Sequence, residues 1–305
     1  MKKLLAILMV LCSLFSFSAT AFAAAPAPTE ETQPVAGSTY PVFAETKYGK
    51  ILGYNEDGVN IFKGIPYAKA KRFEMPTKPD SWDDVLNCVV YSAVCPQVQG
   101  FNGINTSEAS SITDSWSMDL TESKFLTVNV WSTDMNPDTP KPVIFWIHGG
   151  GYDSGSANEL KLYDGKNLAE YGDVVFVSIN HRLNYLGYLD LSAYGSKFKN
   201  SGNVGHADLI MGLEWVRDNI ANFGGDPNNV TIEGQSGGGS KVTQLMSMPA
   251  AQGLFHKAVA QSGGSVSITR TTEDAQAEAA ALVEYLGLSG KTNKEITDYL
   301  QNMEY

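Results

Sequence analysis

Hydrophobic and polar positions change rhythm several times along this chain. Lys2 and Lys3 open it, an apolar run follows from Leu4 to about Phe17, and the small-residue site Ala21-Phe22-Ala23 comes next. That layout predicts an export signal over residues 1–23, cleaved after Ala23. A short transmembrane anchor is the alternative reading, but the run falls short of the ~20 residues a span needs. Residues 24–38 are rich in Ala, Pro, Thr and Glu and predict a flexible leader with too little apolar content to pack. Folded structure is expected over residues 39–305, beginning near Tyr40.

Short apolar runs with turn residues between them, Tyr48 to Tyr54 and Val59 to Phe62, predict a small antiparallel β-meander. From Val98 to Thr121 the chain is rich in Ser, Thr, Asn and Gly, the composition of a long surface loop, which in compact domains is often functional. The pattern then turns continuous: Pro142-Val-Ile-Phe-Trp-Ile-His148 and Asp173-Val-Val-Phe-Val-Ser-Ile-Asn180 read as strands buried on both faces. Between them and a further strand, Asn229-Val-Thr-Ile-Glu-Gly234, lies a helix over Ala207 to Asn222. Its Leu209, Leu213, Val216 and Ile220 recur at spacings of three and four, which aligns them on one face. Phe223-Gly-Gly-Asp-Pro227 ends it. Lys257 to Gln261 reads as another strand and Thr272 to Leu286 as another helix, and Thr292-Asn-Lys-Glu295 opens a last capped helix. Strands alternating with helices predict an α/β fold with a parallel sheet and right-handed crossovers.

Composition narrows the function classes. With 43% hydrophobic and 18% charged residues the chain is globular rather than disordered. Its net charge of −11 becomes −13 once the signal takes Lys2 and Lys3 away. Nucleic acids and anionic membranes both reward a basic face, so neither is an expected partner. Cys12 lies in the signal, leaving Cys88 and Cys95. An oxidising compartment permits a bridge between them, provided two residues so close in sequence reach disulfide geometry. Two thiols and four scattered histidines give no metal-binding pattern.

Chemistry concentrates at two glycine-rich points. Gly234-Gln235-Ser236-Gly237-Gly238 is a G-x-S-x-G between a predicted strand and a predicted helix, the context in which that motif builds a nucleophile elbow. A sharp turn there projects the Ser236 hydroxyl above the sheet, and the glycines let backbones approach without Cβ clashes. The helix amino terminus behind it favours the negative charge that develops in acyl transfer. His148-Gly149-Gly150-Gly151-Tyr152 follows a buried strand, where glycines can turn successive N–H groups into one small volume. Taken singly, each motif also reads as a Gly-rich turn or loop. Their joint order and topology point to an esterase.

The chain resembles the type-B carboxylesterase and cholinesterase family from about Tyr40 onward. The resemblance rests on Phe62-Lys-Gly-Ile-Pro-Tyr-Ala68, Cys95-Pro-Gln97, the His148 to Tyr152 run, Asn180-His-Arg-Leu183, Gly202-Asn-Val-Gly205, Trp215-Val216, and the long run from Phe223 to Gly238. It implies an α/β-hydrolase fold and hydrolysis of small-molecule carboxylic esters through an acyl-enzyme, which the export signal over residues 1–23 would make secreted or extracytoplasmic. Ser236 matches the nucleophile, and Gly150, Gly151 and Gly237 match the oxyanion-hole donors. No cofactor or metal is implied, because serine acyl transfer needs only backbone donors and side chains.

The chain departs from the family in three places. Gln235 stands where the family usually has Glu. Ser123-Lys-Phe-Leu126 replaces its Glu-Asp-Cys-Leu segment, so the usual partner of Cys95 is missing and Cys88 is its only candidate in the mature chain. The fold orders its triad Ser, then acid, then His, yet no histidine follows His256. An enzyme whose triad acid and histidine lie outside this sequence is therefore expected, with a non-catalytic binding or adhesion protein on the same fold as the alternative. Among the histidines present, His206, at the start of the helix before the nucleophile strand, is the least implausible substitute base.

Overall fold

The computed structural model describes residues 39–97, 124–264 and 270–304. The expected signal and leader, and the loop from Val98 to Thr121, lie outside the described residues. Three strands open the fold: β1 (Thr39–Thr46), β2 (Gly49–Glu56) and β3 (Val59–Pro66). They pair as an antiparallel meander, which confirms the two expected runs and adds β1 before them. A two-residue strand, β4 (Leu86–Asn87), lies parallel to β2. Then come β5 (Thr127–Ser132), β6 (Lys141–Ile147), β7 (Val175–Ile179), β8 (Gly225–Gln235) and β9 (Lys257–Gln261).

One sheet contains them all, in the order β1-β2-β3-β5-β7-β6-β8-β9, with β4 beside β2. Pairing is antiparallel as far as β5 against β7, and parallel from β7 through β6 and β8 to β9. Helices α1 (Lys166–Gly172), α3 (Val204–Asn219) and α4 (Gly237–Ser247) form the crossovers of the parallel part, and a short α2 (Asn184–Tyr188) precedes α3. Helices α5 (Thr272–Tyr285) and α6 (Asn293–Asn302) follow β9. Among the described residues no helix is long and apolar enough to cross a membrane.

The periodicity of α3 does what its spacing requires: Leu209, Leu213, Val216 and Ile220 are fully buried. They pack in one core with Val143, Phe145 and Ile147 of β6 and Val230 and Ile232 of β8. The helix passes into a 3-10 turn, Ile220–Phe223, and Gly224 ends it in the left-handed region at φ 79°, a conformation that costs a residue with a Cβ about 1–2 kcal/mol. Helix α6 has the expected cap: Thr292 Oγ1 accepts from the Glu295 N–H and the Glu295 carboxylate accepts from the Thr292 N–H. Sequence periodicity misses β5, whose six residues are all buried. Thr127 and Asn129 break its apolar run, yet Asn129 is satisfied inside, accepting from the Gly64 N–H at 2.9 Å and donating to Ser178 Oγ at 3.0 Å.

The Cys88–Cys95 bridge that the sequence permits is not formed. Backbone hydrogen bonds to Leu52 and Lys63 hold Cys88 beside β2 and β3, and burial pushes its thiol pKa up to about 12. The Cys95 sulfur instead accepts the Leu183 N–H at 3.3 Å.

Beyond the carboxyl end of β7, Arg182 ties the chain to α3. Its Nε and a terminal nitrogen donate to Asp208 at 2.8 and 2.6 Å, and its other terminal nitrogen donates to the Glu74 carbonyl at 2.7 Å. Both side chains are almost wholly buried, at 4% and 0% exposure. Removing one partner of such a pair leaves an uncompensated buried charge. Asp208→Ala is therefore expected to lower unfolding free energy by about 3–5 kcal/mol, read from urea unfolding curves; a change under about 1 kcal/mol would refute this role.

Candidate active site

Strand β8 delivers the chain to Ser236, and α4 carries it away. Ser236 sits at φ 55°, ψ −121°, a strained conformation for a residue with a Cβ. Its N–H donates to the Gln261 carbonyl at the end of β9 at 2.8 Å, and its carbonyl accepts from Ser240 at 3.0 Å. These bonds fix the turn from both sides. The close approaches expected of the flanking glycines are present. A Cβ on Gly238 would stand 2.1 Å from the Ile147 carbonyl oxygen, and one on Gly237 would stand 2.2 Å from that of Gly151.

Parallel pairing of β6 with β8, with Ile147 opposite Gly234, brings the glycine loop after β6 onto this turn. Gly149 lies against Gln235 and Ser236, and Gly150 and Gly151 both take positive φ, 87° and 65°. The Gly150 carbonyl accepts from Ser154 N at 3.1 Å, closing the loop on itself. The structure thus brings together Ser236, Gly150, Gly151 and Gly237.

Motifs far apart in sequence clamp the loop from outside. Gln97 accepts the Gly155 N–H at 2.7 Å and donates to the Gly155 carbonyl at 3.0 Å. Asn184 donates to the Pro96 carbonyl at 2.8 Å and, through its backbone, to the Tyr152 carbonyl at 2.7 Å. Asn180 accepts the Ala157 N–H at 2.8 Å, while its own carbonyl accepts from the Tyr67 hydroxyl at 2.8 Å.

Each of the four histidines is placed elsewhere than on the Ser236 hydroxyl. His148 is buried, its Nδ1 2.8 Å from the Gly149 carbonyl, and its ring lies 4.8 Å from that of His181. His206, the least implausible substitute base by sequence, is buried beside the rings of Tyr152 and Tyr188. His256 exchanges hydrogen bonds with the backbone of Val230 in the middle of β8. Burial, with the nearby Lys241 charge second, lowers the pKa of His148 to about 3 and of His206 to about 4. The same causes hold His181 well below its ordinary value. Imidazoles held neutral in this way are poor candidates for accepting a proton from serine.

Sequence reading missed Lys241. It is fully buried, and its Nζ donates to the Gly151 carbonyl at 2.7 Å and lies 4.9 Å from the centre of the Tyr152 ring. Burial lowers its pKa to about 7, against the pull of Asp153 and Glu159; burial also raises Glu159 to about 7. One signal was available: Lys241 lies three residues from Gly238 and four from Leu245, on the buried face of α4. Among the described residues no three His, Cys, Asp or Glu side chains are grouped to hold a metal.

A model of the carboxylesterase family matches residues 41–305. The chain is 41% identical over 251 residues to the para-nitrobenzyl esterase of Bacillus subtilis (strain 168), covering 80% of this chain and 48% of that protein. It is 33% identical over 290 residues to liver carboxylesterase B-1 of Rattus norvegicus, covering 86% and 50%. Among solved structures, an esterase from the anaerobe Clostridium hathewayi that can hydrolyse aliphatic aromatic polyesters superposes with a TM-score of 0.77 at 42% identity, covering 88% of this chain and 53% of that one. The fold is that of the α/β-hydrolase esterases. This chain spans about half the length of the curated relatives it matches.

Two outcomes are expected from this geometry. Gly238→Ala forces a Cβ onto the Ile147 carbonyl and should destabilise the fold by about 1–3 kcal/mol or more, seen as a lowered thermal midpoint; an unchanged midpoint would show that the turn can relax. The buried neutral histidines also set a pH dependence. Unfolding lets all three protonate below their ordinary pKa of 6.5, so stability falls as pH drops from 6.5 toward 4. Glu159 acts oppositely between 4.5 and about 7, and Glu233, also raised by burial, acts with it, but these are two groups against three. Urea midpoints at neutral pH and near pH 4.5 test this, and equal midpoints would contradict it.

Proposed function

The chain belongs to the carboxylesterase family, and on that premise we propose that it is the nucleophile-bearing part of a secreted hydrolase of small carboxylic esters. One observation carries the proposal: a strained serine at the end of a parallel strand, with a positive-φ glycine loop packed against it. Ser236 Oγ attacks the ester carbonyl carbon while its proton passes to a base. Negative charge then develops on the carbonyl oxygen, and the N–H groups of Gly150, Gly151 and Gly237 are assigned to receive it. Collapse expels the alcohol, which takes up the proton, and water hydrolyses the acyl-serine to release the acid and restore Ser236.

The base and the carboxylate that orients it are assigned to residues outside this sequence. Two observations support this assignment: the four histidines present are packed elsewhere, and the relatives are about twice as long. Export is proposed from the charged, apolar and small-residue pattern of residues 1–23.

A fluorophosphonate probe tests the reading, because a small base can stand in for a missing histidine. Labelling of the chain at Ser236 is expected to be slow, to accelerate at least about tenfold with added imidazole, and to vanish in Ser236→Ala. Fast labelling that ignores imidazole would place the base within this chain. A folded protein that resists the probe with and without imidazole would instead be a binding protein on the same fold.

A further inference from the structure

Helix α4 turns a buried face toward the glycine loop, and on that face Gly237, Gly238, Val242 and Leu245 are all buried. Lys241 shares it with no exposure at all. Taking an ammonium out of water costs several kcal/mol unless it is paired, and a Met of similar length would avoid that penalty. The side chain is therefore not there to fill space.

Its hydrogen bond goes to the Gly151 carbonyl oxygen at 2.7 Å. The same oxygen is pressed against Gly237, 2.2 Å from where a Cβ would stand. Lys241 on one side and Gly237 on the other thus hold a single carbonyl. Packing does not set this conformation from the Gly151 side, since nothing lies within 4 Å of a Cβ built there. A glycine at φ 65° with open space around it is free to rotate unless a bond restrains it. Rotating the Gly151 carbonyl away would also loosen the Gly150–Gly151 peptide, whose N–H is assigned to the oxyanion hole.

We propose that Lys241 is a positioning residue for acyl transfer: its ammonium restrains the Gly151 carbonyl, aims the Gly150 and Gly151 amides, and adds buried positive charge where the oxyanion forms. The proposal rests on the reading of Ser236 as the nucleophile. The groups facing the ammonium are Asp153 and Glu159, which favour its charged form, the buried His148, His181 and His206, and the Tyr152 ring. Burial brings Lys241 to about 7, so the restraint is strongest below neutrality and weakens as pH rises.

The full chain supplies a test that needs no turnover. Labelling with ¹³C-carbonyl glycine and ¹⁵N-tyrosine selects three Gly-Tyr peptides: Gly53-Tyr54, Gly151-Tyr152 and Gly187-Tyr188. The Gly151-Tyr152 cross-peak should shift between about pH 5.5 and 8.5 with a midpoint near 7, while Gly53-Tyr54 stays fixed and Lys241→Met abolishes the shift. Lys241→Met should also slow phosphonylation of Ser236 by about 10- to 100-fold, with the rate no longer falling above pH 7. A Gly151-Tyr152 peak that does not titrate, or one that titrates equally in Lys241→Met, overturns the proposal. So does an unchanged phosphonylation rate in a folded Lys241→Met. If Lys241→Met fails to fold, the same titration in Glu159→Gln decides: a shift that persists belongs to Lys241, and one that disappears overturns the proposal. Should the wild type titrate but never label, the acyl-transfer reading falls while the Lys241 restraint stands.

Discussion

Contact between two backbones, the loop after β6 and the turn after β8, is the constraint on which this site depends. Gly238 lies so close to the Ile147 carbonyl that no Cβ fits between them, and Gly237 meets Gly151 in the same way. Such closeness is possible because β6 and β8 pair in parallel up to Ile147 and Gly234, which brings both strands to an end at the same level. Ligand sites in open α/β sheets form at the carboxyl ends of strands, and here that edge carries the Ser236 turn with the Gly149–Gly151 loop packed against it. The strain at Ser236 is held by bonds to Gln261 and Ser240, so the turn belongs to a network spanning β8, β9 and α4.

Around that contact the protein buries polar groups and satisfies many of them at long range. Gln97, Asn180, Arg182 and Asn184 each reach backbone groups far away in sequence. Buried polar groups are costly unless paired, so these residues specify one arrangement of the loop rather than merely tolerating it. Beneath it lie His148, His181, His206, Tyr188, Glu159 and Lys241, where burial dominates every pKa shift. The Lys241 charge acts on all three imidazoles, and in a region of low effective dielectric that influence is larger than it would be at the surface.

Sequence alone determined the elements whose cause is local. The apolar stripe of α3, the capping box of α6 and the buried run of β7 follow from periodicity and capping, whereas β6, expected to be buried on both faces, buries only alternate residues. Ser236 and the glycines at 149–151 and 237–238 were legible as well, because a tight turn and a close backbone approach demand those residue types whatever surrounds them.

Tertiary structure decided the rest, because the forces involved act between residues distant in sequence. Strand β5 is stabilised by Asn129 bonding across to Gly64 and Ser178, which no local pattern reveals. Cys88 and Cys95 lie close in sequence but are held by different partners, the backbones of Leu52 and Lys63 for one and Leu183 for the other, and the bridge that the sequence permits does not form. His206 occupied a plausible position in the chain, yet its environment is the two tyrosine rings that cover it. Lys241 reads as an ordinary helical lysine until the fold removes it from water and sets it on the Gly151 carbonyl. Burial is a property of the assembled chain, and burial gives that charge its effect.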